Sequence, residues 1–114
     1  KSLMIAAFVG GRLAANCGIN CAAPYKKYQH RAEFGIAVLE EFWGNGIASA
    51  LLTEIIAAAR AMGYEQMELE VVTENTKAIA LYKRFGFEIF GTRERSFKYL
   101  DGSFASEHLM LLKL

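Results

Sequence analysis

One proline, Pro24, one tryptophan, Trp43, two cysteines and almost no net charge mark this chain of 114 residues by what it lacks. Each shortage excludes something. With no proline- or glycine/serine-rich tract and no repeat, nothing reads as a linker, so residues 1–114 are expected to form a single domain. Cys17 and Cys21 sit four apart in an apolar stretch and lack the second ligand pair of a zinc site, so no metal is expected and both read as buried free thiols. Thirteen basic against twelve acidic residues give net charge +1, which provides no field to hold nucleic acid or an anionic membrane. No signal peptide, bilayer-length apolar run or disulfide framework is present, so a cytoplasmic protein without a membrane partner is the expectation.

What is there is enough for a core. Hydrophobic residues make up 54% and charged residues 22%, a globular balance, and a chain this long hides roughly 65% of its unfolded surface. Leu3–Val9, Gly10-Gly11 and Leu13–Asn20 read as a hairpin, and Cys21–Arg31 as a mobile surface loop. A third strand follows over Ala32–Val38. Ala48, Leu51, Leu52, Ile55, Ala59 and Met62 then recur at helical spacing along one face, closed by Gly63. Met67, Leu69 and Val71 alternate with their neighbours as a half-buried strand does, and strand–helix–strand order predicts a right-handed parallel crossover. A short helix over Thr76–Phe85, ended by Gly86, precedes two long strands joined at Asp101-Gly102. The fold class is α/β with a mixed sheet.

Two stretches carry chemistry. Trp43-Gly44-Asn45-Gly46-Ile47-Ala48 lies between the third strand and the first helix, where side chains are stripped from a helix start. Unpaired N–H groups and the positive end of the helix dipole there favour a phosphate. In the second stretch, Asn75 and Tyr82 are seven apart on the short helix, nearly on one face and about 10.5 Å apart along its axis. Ala78 leaves a shallow place between them, with Leu81 and Phe85 expected to point to the core. An extended ligand fits such a face.

The glycine loop followed by N-x-x-A-x-x-L-Y-x-x-x-G-F from Asn75 to Phe87 resembles the GNAT superfamily of acetyl-CoA-dependent N-acetyltransferases. The resemblance covers Leu3 to Leu114. It implies a mixed, mostly antiparallel sheet flanked by helices and acetyl-CoA as cosubstrate, with the arm of CoA paired to the backbone of Ile36, Ala37 and Val38. It further implies pyrophosphate contacts from Gly44, Asn45, Gly46, Ile47, Ala48 and Ser49, a hydrogen bond from Asn75 to the arm, and Tyr82 as general acid toward the departing thiolate. A tyrosine of pKa about 10 can donate to a thiolate whose conjugate acid resembles free cysteine, near 8.5. Strand-edge N–H groups suit an oxyanion.

The attacking amine must be neutral, yet an ammonium of pKa about 10.4 is deprotonated only about once in 10³ molecules at pH 7. A base is therefore useful, and Glu33 and Glu70 are the two candidates, with His30 behind them. For each carboxylate a solvated surface role is the plainer reading. Asn75 alone reads as an N-cap, and Tyr82 alone as core packing with its hydroxyl at the surface. Order and spacing together raise the acetyltransferase reading.

Two departures stand out. The family loop commonly begins with Arg or Gln where Trp43 stands here, and tryptophan marks a branch resembling ribosomal-protein and small-amine acetyltransferases. The family also usually begins with a strand and two helices before the hairpin, which this sequence lacks, and those helices wall the acceptor pocket. The acceptor is accordingly left as a small-molecule amine or a protein N-terminus, and a homodimer is compatible with the resemblance. A P-loop is excluded because Ile47-Ala48 stand where Lys-Ser or Lys-Thr would be needed. A dinucleotide fingerprint lacks its third glycine. The surviving rival is a non-catalytic acetyl-CoA-binding or sensing module.

Overall fold

A computed structural model describes residues 2–114. Among these residues six strands and two α-helices make a mixed α/β fold, and the first strand pairs with the second, the second with the third and the fifth with the sixth, all antiparallel. The chain forms two compact units, one running to Met67 and taking in Leu114, the other running from Glu68 to Lys113.

The first unit is a three-stranded meander with a helix. β1 (Ser2–Val9) turns into β2 (Arg12–Cys21) through Gly10 and Gly11, whose φ values of 58° and 79° are those a two-residue hairpin turn demands. Cys21–Arg31, expected as a mobile loop, contains a 3₁₀ turn at Lys26–Tyr28. β3 (Arg31–Val38) follows, then a second 3₁₀ turn at Glu40–Phe42, the glycine loop and α1 (Ile47–Ala61). α1 buries Leu51, Leu52, Ile55, Ile56 and Ala59; Ile56 widens the expected stripe, whose two ends, Ala48 and Met62, are only half-buried. Together with Ala14, Cys17, Ile19, Ala32 and Phe34 of the strands they form this unit's core. Cys17 is buried, but Cys21 is only half-buried, its thiol donating to the Ala23 carbonyl at 3.0 Å. The expectation of two buried thiols holds for one.

The second unit continues β4 (Gln66–Val72), whose first two residues belong to the first unit, into α2 (Thr76–Arg84), β5 (Glu88–Lys98) and β6 (Phe104–Lys113). β6 lies between β4 and β5. Leu69, Val71, Tyr82, Phe87, Ala105, Met110 and Leu112 are buried here. On α2 the expected orientation is corrected: Tyr82 is the buried residue, while Leu81 and Phe85 are half-buried. Among the described residues no helix is long and apolar enough to cross a membrane, and no group of three or more His, Cys, Asp or Glu is gathered as a metal would require.

Candidate active site

The first unit brings together the backbone of Ile36, Ala37 and Val38 at the end of β3 and the loop Gly44 to Ser49 that follows it. Gly44 and Gly46 have φ of 81° and 75°, a left-handed backbone that side chains resist, flanking Asn45. Successive turns of this kind point backbone N–H groups into one concavity, a nest for an anion. Gly46 is the N-cap of α1 and brings no side chain to cap it, and no acidic residue occupies the first turn. The helix ladder begins with Ala50 N–H donating to the Gly46 carbonyl at 3.0 Å. The N–H groups of Ile47, Ala48 and Ser49 therefore fall before the first intrahelical bond, at the positive end of a fifteen-residue helix.

The loop's approach is anchored twice. Arg12 on β2 holds Glu41 with two hydrogen bonds of 2.6 Å, and Trp43 Nε1 donates to the Val38 carbonyl at 2.9 Å. Sequence reasoning missed both, since neither contact has a period. The second explains Trp43: its indole straps the loop to the last residue of β3. Leu39 N–H donates to the Ala14 carbonyl on β2 at 2.9 Å, so by strand alternation the peptide groups of Ala37 face β2 and those of Ile36 and Val38 face away. Of the three residues, Ile36 and Val38 thus turn their peptide groups to the side away from β2, where the Val38 carbonyl already accepts from Trp43.

In the second unit, Asn75 caps α2, its Oδ1 accepting from Ala78 N–H at 3.2 Å. The cap leaves the Nδ2 amide as the side that can meet a ligand. Tyr82 is 7% exposed, and burial pushes its phenol above the ordinary tyrosine range. Burial thereby favours the proton-carrying form.

The two carboxylate candidates fare differently. Glu33 is exposed on β3 opposite Asn20. Glu70 lies on β4 in the unit that carries Tyr82, and Arg93 Nη1 donates to its Oε2 at 3.2 Å. Arg93, Ser96 and Glu107 were not singled out from sequence. Glu107 sits in phase with buried Ala105 on β6, which is the signal that reveals it. A cavity of about 410 Å³ lined by residues including Cys21, Met62 and Tyr64 contains none of the candidate site residues.

Comparison with known proteins bears on the family and the fold. The sequence model of the Acetyltransferase (GNAT) family matches residues 2–87. The L-amino acid N-acetyltransferase AaaT of Escherichia coli is 39% identical over 77 residues, covering 63% of this chain and 48% of that protein. The ribosomal protein bS18 alanine N-acetyltransferase of Haemophilus ducreyi is 36% identical over 81 residues, 71% of this chain and 56% of that protein. The chain thus spans about half the length of these relatives. A crystal structure of an acetyltransferase of the same family from Streptococcus pneumoniae superposes with a TM-score of 0.94 at 32% identity, covering 99% of this chain and 67% of that one.

Proposed function

The chain belongs to the acetyltransferase (GNAT) family, and on that premise we propose that it moves the acetyl group of acetyl-CoA to a primary amine by direct attack in a ternary complex. The observation that carries the reading is the helix start at Gly46, with no side-chain cap and left-handed glycines before it. Its donor set suits an anion, and a pyrophosphate among them.

Acetyl-CoA supplies a thioester activated for acyl transfer. Gly44 to Ser49 hold the pyrophosphate through backbone N–H groups. Ile36 and Val38 pair with the arm, and Asn75 meets it with Nδ2 while Oδ1 keeps its cap. Of the two candidate carboxylates, Glu70, whose orientation Arg93 fixes, takes the proton of the attacking ammonium. As the C–N bond forms and the C–S bond breaks, the Tyr82 phenol gives its proton to the leaving sulfur, the second proton shed by the nitrogen restores the phenol, and Glu70 releases the first to water.

The acceptor is a small-molecule amine or a protein N-terminus, the two kinds that the relatives' names describe. The test is release of free thiol from acetyl-CoA over a panel of L-amino acids, a polyamine and peptides beginning with alanine. Turnover of at least one supports the proposal. Tight acetyl-CoA binding with no amine acetylated would instead favour the non-catalytic module.

A further inference from the structure

Glu107 on β6 is a charged residue only 7% exposed. Such a carboxylate needs partners, because an unpaired buried charge costs several kcal/mol. Ser96 Oγ donates to its Oε1 at 2.5 Å, and Arg93 Nη1 donates to the same oxygen at 3.4 Å. That same Nη1 reaches Glu70 at 3.2 Å. One nitrogen therefore links a buried carboxylate to an exposed one, with side-chain exposures of 9% and 51%.

The backbone produces this convergence. Arg93 faces Glu107 in the β5–β6 register, but the next pair is Phe97 with Ala105, so four steps along β5 match two along β6. Inside this bulge Arg95 takes φ 53°, its N–H donates to Ser106 Oγ at 3.1 Å, and its guanidinium lies 3.9 Å from the Phe104 ring centroid. A regular strand would turn Arg93 and Ser96 to opposite faces. The bulge brings both to Glu107.

We infer that Arg93 is a positioning residue: anchored by Glu107 and Ser96, it holds the Glu70 carboxylate in the one orientation that takes the acceptor's proton. The inference rests on Glu70 being the base. An exposed glutamate loses rotamer freedom when it is fixed, which is why an isolated surface ion pair is worth little. Here the guanidinium is already ordered by a buried partner, so its hold on Glu70 costs less. Both contacts use a single nitrogen, and a lysine ammonium, with three donors at one point, is able to replace it.

The test is steady-state kinetics on the full chain, using whichever L-amino acid or alanine peptide of the panel turns over. Arg93→Met, Arg93→Lys and Ser96→Ala are each measured alone and combined with Glu70→Gln. Glu70→Gln lowers kcat about 100-fold, the scale of general-base catalysis. Arg93→Met lowers kcat about tenfold, as a misplaced group does, with the KM for acetyl-CoA unchanged within about twofold. Arg93→Lys recovers most of the rate. Ser96→Ala, the milder variant should Arg93→Met fail to fold, costs about threefold in kcat. Neither loss recurs on top of Glu70→Gln, because the residues act in one step. If Arg93→Met and Ser96→Ala cost the same factor with and without Glu70, positioning is wrong while the base stands. If Glu70→Gln turns over like the parent, the base reading falls and the inference falls with it.

Discussion

Phe87 N–H donates to the Tyr82 carbonyl at 3.1 Å, and the two rings meet edge to face with centroids 5.9 Å apart. Gly86 N–H donates to the Lys83 carbonyl at 3.0 Å, and Gly86 has φ 99°. These are the two bonds and the apolar contact of a Schellman cap, so the turn that ends α2 also places the proposed acid. Phe87→Leu keeps the bulk and loses the ring contact. It should cost about 1 kcal/mol of stability in urea unfolding, and it should lower kcat more than it raises the KM for acetyl-CoA.

Gly46 has nothing within 4 Å of where a Cβ would stand, so a substitution there suffers from its φ of 75° and not from crowding. Left-handed backbone costs a β-branched residue about 1–2 kcal/mol, whereas asparagine tolerates it better. Gly46→Val should weaken acetyl-CoA about tenfold by calorimetry, and Gly46→Asn much less. Equal affinity for all three proteins would remove the loop from the phosphate site.

Trp43→Phe deletes the bond to Val38 and keeps an aromatic ring. Trp43 is 62% exposed, so the bond is worth the lower part of the usual range, about 0.5 kcal/mol. The expected result is a two- to threefold weaker Kd for acetyl-CoA with little change in Tm.

The raised Tyr82 phenol gives a prediction with a definite sign. Its protonated form is favoured in the folded state, so the stability this contributes is complete below the unfolded value of about 10 and is lost as pH rises through the raised folded value. In an ultraviolet phenolate titration of the folded protein, Tyr82→Phe should remove a step lying above pH 10. Removal of a step near or below 10 would contradict the burial argument.

The elements were legible where local chemistry decides them. Gly10-Gly11 and Asp101-Gly102 mark their turns, and Gly63 and Gly86 both end helices as expected. Asn75 proved to be the cap its residue type suggests. The Arg93 network was not legible, because continuing the ladder from the pairs Lys98 with Phe104 and Phe97 with Ala105 would set Glu107 opposite Arg95. Two additional residues on β5 move the partner to Arg93, and no spacing in the sequence announces them. Tyr82 was read with Asn75 on an outward face, since seven residues nearly close two turns. The Phe87 ring, which follows the helix and does not belong to its period, draws it inward.

The central claim is that this chain transfers acetyl groups with Tyr82 as the acid. Its most direct test is thiol release from acetyl-CoA by the parent and by Tyr82→Phe at matched amine concentrations, with acetyl-CoA affinity measured on both. A fall in kcat of about 100-fold or more with Kd unchanged within about twofold is the predicted result. Equal turnover by the two proteins would contradict it.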